Sequence, residues 1–508
     1  MYAKRILTTL CTIGFATALC HGQTESQIPS QSELSSLAIF ADAVDAYIYG
    51  YPMLMIAITE RVATTTPTTA PNAGHAPLNQ FAKATALPKA GFTDVVLPST
   101  STLYASAFLN LKLEPIVMHL PPIDRFFLME MLDAWTNVST SSPGTRQNSP
   151  PGDYIIGGPD WDGVIPPALP TNTPVIRMPT NTVWIIGRIF TSGTQADLEH
   201  VANDILPNIT LKPLSKVNTD YMPPTDIPID PSIDTKTPPL HQVANMDACA
   251  FYSTFAATLK TNPPLPQDTN MVRRLANINV VPGNSFDCSE DASDPTTRAV
   301  LQLAVQVAKT KLADATVAIP PTSTHWLMPL NVGDYGRRYL LRAIVAEQAL
   351  GANLPADAVY GYTGKDNGNN AVKGTNTYKI HFNPETSRHL AGEIPPVNPK
   401  AFWSVTIYKA DGTLLDTEGV DYNAIGWSAL GPTIQGHSFC YNSDKSLDIY
   451  LQATRPSGAI ESCNWLPIPT SGGATVNDAD FIVFLRMYWP DQVVLHRRWI
   501  PPAVTKTN

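Results

Sequence analysis

Forty-seven of the 508 residues are proline, nearly twice the usual ~5% share, and this restricts the available folds more than any other feature. Proline has no N–H to give to a sheet ladder, and inside a helix its ring clashes with the preceding turn. So many prolines must sit in loops, at strand edges and at element starts, which predicts a strand-rich, loop-rich protein. Charged residues make up only 15% of the chain, against the usual ~25%. Yet 44% of it is hydrophobic, enough for a packed core and unlike a disordered chain. The length allows about three domains of ~150 residues.

The chain opens with a basic pair, Lys4 and Arg5, then an uncharged apolar run from Ile6 to Leu19 and small residues at Ala16, Ala18 and Gly22. This three-part pattern predicts a secretory signal peptide over residues 1–22 and a secreted, extracellular protein. The run is shorter than the ~18 apolar residues of a membrane span. Loss of Lys4 and Arg5 takes the formal net charge from −9 to −11. An acidic chain without basic runs argues against nucleic acid and anionic membrane surfaces as partners. It leaves open a small-molecule ligand and a homo-oligomer.

Four of the six cysteines follow the predicted cleavage site: Cys249, Cys288, Cys440 and Cys463. An even number in an oxidising compartment predicts disulfides, with three pairings open. Cys249–Cys288 and Cys440–Cys463 are preferred because each closes a local loop. A zinc site is the rival, but no CxxC or paired histidine accompanies these cysteines.

Apolar residues at helical spacing, Leu37, Phe40, Val44, Tyr47, Ile48 and Tyr51, predict a helix from Ser35 that Pro52 kinks or ends. Residues 63–90 read as a long loop. From Asp94 to Phe190 the pattern changes to short apolar runs between Pro, Gly and Asn, as expected of a β-sandwich. Thr194–Ile205 reads as a short helix with a capping box of Thr194 and Asp197. Residues 240–352 are mostly helical, with Asp294-Pro295 at one helix start. Another helix, Asp334 to Leu350, carries Arg337, Arg338 and Arg342 and is closed by Gly351. From 353 to 505 strands return. The fold class is mainly β with helical segments (α+β), divided into residues 35–235, a helical segment 236–352, and a C-terminal β-sandwich 353–508.

Several motifs carry a resemblance. Tyr47-Ile48-Tyr49-Gly50-Tyr51-Pro52, Thr102-Leu103-Tyr104, Asp133-Ala134-Trp135-Thr136-Asn137, Gly144-Thr145-Arg146 and Trp184-Ile185-Ile186-Gly187-Arg188 resemble the family called domain of unknown function 1254. Phe402-Trp403-Ser404, Ile449-Tyr450-Leu451-Gln452, Asn464-Trp465-Leu466-Pro467 and Leu485-Arg486-Met487-Tyr488-Trp489 resemble its partner, domain of unknown function 1214. The matching motifs span about residues 40–502. The resemblance implies an immunoglobulin-like sandwich first and a jelly-roll-like sandwich last, and it brings no assigned activity. Ser101 and Asn110 stand where that family's pattern usually carries Asp.

Nucleophile and metal motifs are weak. Gly436-His437-Ser438 lacks the last glycine and the strand-to-helix setting of a nucleophile elbow. His381, His437 and His496 are candidate ligands only if three separate strands bring them together. No motif implies a cofactor. The acidic run Asp287, Glu290, Asp291 and Asp294 reads as a helix-capping loop rather than a calcium site. Two glycosylation sequons begin at Asn137 and Asn208.

Polar residues embedded in apolar strands are the more informative set. Asp133, Arg188 and Arg486 interrupt hydrophobic runs, and Arg146 follows Gly144 closely. Buried charges must be paired, so these residues form either structural ion pairs or a polar pocket between the β domains. Tyr104, Trp135, Trp184 and Trp465 would be its walls. Arginine in such a pocket suits a carboxylate or phosphate. The expected function is a hydrolase-like enzyme acting on a small organic molecule; the alternative is a non-catalytic secreted binding or assembly protein.

Overall fold

The computed structural model describes residues 31–70, 74–91, 97–288, 295–315, 319–386, 388–416, 420, 422–470 and 479–507. The predicted signal peptide lies outside these residues, as do Glu290, Asp291 and Asp294. The first unit comprises helix α1 (Gln31–Thr64), strands β1 (Ala82–Lys83), β2 (Thr102–Asn110), β3 (Ile116–Leu120), β4 (Phe127–Asp133), β5 (Gly152–Gly157), β6 (Val175–Arg177) and β7 (Thr182–Phe190), helix α2 (Gln195–His200) and strand β8 (Thr210–Pro213). Helices α3 (Pro239–Asn245), α4 (Ala248–Leu259), α5 (Thr269–Asn277), α6 (Pro295–Ala315) and α7 (Tyr339–Gln348) follow. The last unit holds β9 (Ala358–Thr363), β10 (Tyr378–Phe382), β11 (Phe402–Lys409), β12 (Ala424–Ser428), β13 (Thr433–Ile434), β14 (His437–Ser438), β15 (Leu447–Gln452), helix α8 (Ala459–Cys463), β16 (Trp465–Pro467), β17 (Phe481–Tyr488), helix α9 (Gln492–Leu495) and β18 (Val504–Lys506).

Each β unit is built from two four-stranded sheets, in the orders β1-β2-β7-β4 and β6-β5-β3-β8 in the first, and β16-β15-β10-β18 and β12-β11-β17-β9 in the second. Strict alternation explains the layering. On β2 the residues Leu103, Ala105 and Leu109 are fully buried in the first sandwich core with Met118, Met129, Ile156 and Ile185. The other face of that sheet carries Tyr104 and Arg188. The second unit repeats this, with Trp403, Val405, Leu485 and Met487 in its core and Ser404 and Arg486 on the opposite face.

The helices pack as a third layer around α1, whose Tyr47, Tyr49, Met53 and Leu54 are fully buried. A Cβ on Gly50 would stand 2.9 Å from the Phe255 ring, so only glycine lets α1 approach α4 this closely. Pro52 lies inside α1 without ending it. Burial of Tyr51, Met53 and Met55 around it holds the segment helical, so packing outweighs the lost hydrogen bond.

Other boundaries shift for local reasons. The helix expected from Asp334 starts at Tyr339, because Gly336 turns the chain at φ +52°. Helix α2 ends at His200, and a wider π-type turn continues to Ile205. Thr194 makes no side-chain cap. Asp197 instead accepts bonds from Arg125 at 2.6 Å, the Thr191 hydroxyl at 2.9 Å and the Ser192 amide at 2.7 Å. Within the expected loop 63–90, β1 pairs with β2. The cysteines join as Cys249–Cys288 and Cys440–Cys463. No described helix is long and apolar enough to cross a membrane.

Candidate functional site between the two β units

The outer face of the sheet β1-β2-β7-β4 packs against the outer face of β12-β11-β17-β9. Aromatic contacts join them, with Phe126 edge-on to both Phe402 and Tyr488 and Phe190 tilted on Phe402 at 4.6 Å. Cross-strand register sets which side chains meet. Tyr104, Arg188 and Leu128 share one row on the first sheet, and Ser404, Arg486 and Tyr360 share one on the second.

Arg188 is 6% exposed. It donates from Nη1 to the Glu130 carboxylate in a short ion pair, and from Nη2 to the Gly351 carbonyl at 3.2 Å. Glu130 is fully buried, and its Oε1 has no partner among the described residues. Burial pushes its carboxyl up to about 7, with the Arg188 charge pulling the other way. Arg486, 3% exposed, has a different environment. It donates to the Leu97 carbonyl at 2.7 Å and the Thr406 hydroxyl at 3.3 Å, and no carboxylate of a described residue pairs with it. Its charge rests against Phe484, Tyr408 and Tyr360, with ring centroids at 4.4, 5.4 and 5.7 Å. These faces attract a cation without accepting its N–H bonds fully.

Polar atoms around the two guanidiniums are incompletely satisfied. Asn353 donates to the Tyr360 hydroxyl at 2.6 Å, and that hydroxyl donates to Tyr488 at 3.3 Å. The Asn353 Oδ1, the Arg188 Nε and the hydroxyls of Ser101, Thr102 and Ser404 have no partner among the described residues. Tyr104 and Tyr360 retain accessible surface while Tyr408 and Tyr488 are fully buried, so the interface does not close completely around them.

The expected site residues separate into three groups. Tyr104, Arg188 and Arg486 come together as described. Trp184 lies further along the same face of β7, stacked on Phe108 at 5.1 Å, with its Nε1 on the Ser106 hydroxyl at 3.0 Å. Arg146 sits at the rim, paired with Asp357 across the units. Asp133 and Trp135 face the helical layer instead. There Asp133, pushed up to about 6 by burial, accepts the amides of Trp135 and Asn137, both at 2.8 Å. The Trp135 ring lies 4.5 Å from Tyr49. Trp465 belongs elsewhere: it packs in the remote sheet beside Tyr450 and donates to the Gln452 carbonyl at 2.7 Å.

The histidines are spread out. His381 binds Asp448 at 2.6 Å, and His437 meets the Cys463 carbonyl at 3.0 Å while stacking on Tyr422. His496 ends α9. Among the described residues no three His, Cys, Asp or Glu side chains group as metal ligands would. Of the sequons, Asn208 is exposed, with its amide on the Asp204 carbonyl at 2.8 Å, and the Asn137 amide donates to Asp133 at 3.1 Å.

Glu130, Tyr360, Tyr408 and Tyr488 complete the site and were not singled out from sequence. Glu130 gives the same signal as Arg486, a charge in the apolar run Phe127-Leu128-Met129-Glu130-Met131. Arg342 is a further fully buried guanidinium, boxed by Tyr49, Trp135 and Tyr339 at 5.1–5.3 Å, and its nitrogens have no partner among the described residues. A groove of about 770 Å³ opens beside it, lined by Asp45, Arg274, Lys311 and Tyr339. Its Arg274 is already paired with Asp42 and Asp45, so the unbalanced positive charge at the β–β interface is the stronger chemical signal.

Residues 78–213 match the family model described as Protein of unknown function (DUF1254), and residues 357–492 match Protein of unknown function (DUF1214). No curated protein matches the sequence. Among solved structures the chain is similar to the VPA0106 protein from Vibrio parahaemolyticus, at 19% identity over 92% of this chain and 100% of that one, with a TM-score of 0.63. That likeness is one of fold. An uncharacterised protein from Burkholderia cenocepacia aligns over 94% of this chain and 93% of its own, at 12% identity and a TM-score of 0.40. The chain belongs to the two-domain family in which a DUF1254 domain is followed by a DUF1214 domain.

Proposed function

We propose that the space between the two β units binds a small carboxylate-bearing organic molecule, and that the protein is a hydrolase-like enzyme acting on it. The observation that carries this reading is the surplus of buried positive charge. Among the described residues Arg188 has one carboxylate partner, Glu130, and Arg486 has none. A buried cation without an anion is unfavourable, and a guanidinium fork fits a carboxylate through two bonds. An acidic ligand beside Arg486 would balance the charge of the site.

Glu130 supplies the acid–base group. A carboxyl pushed up to about 7 exchanges its proton near neutral pH, where general acid–base catalysis is most effective. In a hydrolysis it would take a proton from the attacking water and return it to the leaving group. Secretion belongs to the same reading, supported by the two disulfides. So do the immunoglobulin-like and jelly-roll-like forms of the two sandwiches.

Calorimetric titration with acetate, succinate and benzoate tests the site. Binding that disappears in Arg486→Met supports it; absence of binding, or equal binding in the variant, removes it. Esters and amides of the acid that binds then test the chemistry. Turnover lost in Glu130→Gln with binding retained supports catalysis. Binding without turnover in the unaltered protein identifies a non-catalytic binding protein.

A further inference from the structure

The face that carries Arg188 is unevenly buried along its length. On β2 the core-side residues Leu103 and Ala105 are fully buried, while Tyr104 and Ser106 on the opposite side keep accessible surface. On β7 every residue is buried except Trp184. These partly open positions are contiguous, because the Trp184 indole donates to the Ser106 hydroxyl at 3.0 Å. Register orders them: Tyr104 lies opposite Arg188, Ser106 opposite Ile186, and Phe108 opposite Trp184. The stripe therefore runs from a guanidinium row to an aromatic row four residues along the strand, about 13 Å at the usual rise.

Its two ends differ in chemistry. At one end Arg188 and Arg486 present the surplus positive charge. At the other, Trp184 is stacked on Phe108 with an interplanar angle of 9°, a flat apolar wall. Ile186, 6% exposed, lies between them beneath Gly351 and Leu354, so the open part of the stripe runs on the β2 side, over Tyr104 and Ser106. A cationic end joined to an apolar wall is complementary to a molecule with an acid head and a hydrocarbon body, and it offers little to a second charge.

We infer that the ligand of this site is an elongated amphiphilic acid, its carboxylate held at Arg188 and Arg486 and its hydrocarbon chain lying along Tyr104 and Ser106 to the Trp184–Phe108 wall. The inference rests on the carboxylate site proposed above and adds the class of molecule that fills it. It accounts for the open surface at Ser106 and Trp184, which a small polar acid would not reach.

Calorimetric titration of the full chain with acetate, hexanoate and decanoate, each below its aggregation concentration, separates the two readings. Affinity should rise with length, by at most about fourfold per buried methylene, and level off once the stripe is filled. Ser106→Leu, which blocks the middle of the stripe, should lower decanoate affinity at least tenfold, and Trp184→Ala should flatten the dependence on length. A folded Ser106→Leu protein keeps the test open if Trp184→Ala does not fold. Acetate binding as tightly as decanoate overturns the elongated ligand and leaves the carboxylate site standing. No binding of any acid overturns both.

Discussion

The guanidinium of Arg146 and the carboxylate of Asp357 meet through two bonds, Nε to Oδ1 at 2.6 Å and Nη2 to Oδ2 at 3.0 Å, and they tie the two β units together at the rim of their interface. The Asp357 side chain is 3% exposed and that of Arg146 is 26%. Its main-chain carbonyl also receives the Trp489 amide at 2.7 Å. One residue thus links the start of the second unit to the first.

Arg146→Met should leave the Asp357 carboxylate buried with only a weak 3.5 Å contact from Gln147. Breaking a buried pair from one side costs about 3–5 kcal/mol, and the partial exposure of Arg146 brings the expected loss to about 2–4 kcal/mol. Urea unfolding of single and double variants measures it. Arg146→Met combined with Asp357→Asn should recover part of the loss. Additive losses would show that the two groups do not act as a pair.

Glu130 links stability to pH. Its carboxyl titrates near 7 in the folded chain against 4.5 as the ordinary value, so between those limits the folded state holds a proton that the unfolded state has released. Stability from this group is fully present below about 4.5 and falls as pH rises through 7, by about 3 kcal/mol. Half-buried His437, shifted down from its ordinary value by burial, works in the opposite direction below pH 6.5. Comparison with Glu130→Gln isolates the carboxyl. Unfolding free energies of the two proteins should converge at low pH and separate towards neutrality, with the variant the more stable at pH 7.5. Parallel curves would contradict the shifted carboxyl.

Legibility followed local chemistry. Arg188 and Arg486 stood out because a charge in a strand of apolar residues has few structural roles, and the interface brings both together. Glu130 gave an equal signal. Arg342 did not, because helical spacing cannot say which stripe of α7 faces inward until Tyr49 and Trp135 are placed around it. Trp465 was misassigned for a related reason: an aromatic motif marks a buried strand without saying which of two sheets holds it. Pro52 left open whether the helix kinks or ends, and the burial of its neighbours carries the helix on to Thr64. The disulfide pairs were readable because each closes a short loop. The assignment of Asp133 to the helical side depended on where β4 ends, a boundary that hydrophobic period leaves loose.

Cys440–Cys463 spans 23 residues and pins β14 beside helix α8. Chain-entropy estimates for a loop of that size give about 3 kcal/mol of stabilisation. Replacing both cysteines by alanine should lower the denaturation midpoint accordingly. The change should not alter carboxylate binding, since the crosslinked residues contact Ser438 and Asn464 and not the residues around Arg486. Loss of binding in a folded double variant would place the crosslink closer to the site than its partners indicate.

The two interface arginines should answer differently to the same substitution. Arg188→Met removes the charge that holds the Glu130 carboxyl down, so the variant keeps it protonated above pH 7, where the parent ionises and pairs it, and the loss of stability should grow by about 1.4 kcal/mol per pH unit there. Below pH 5 Glu130 is protonated in both proteins, and the loss should shrink to that of the bonds to Gly351 and Ile186. Arg486→Met removes a charge that has no acidic partner among the described residues. It frees the Leu97 carbonyl and the Thr406 hydroxyl, at about 1–3 kcal/mol each, but relieves the burial of an uncompensated cation. Its stability should therefore stay within about 2 kcal/mol of the parent at every pH, while acid binding is lost. Thermal unfolding at pH 5 and pH 8 distinguishes the cases. Equal, pH-independent losses for both variants would mean that Arg486 is as fully compensated as Arg188, and the surplus charge would no longer point to a ligand.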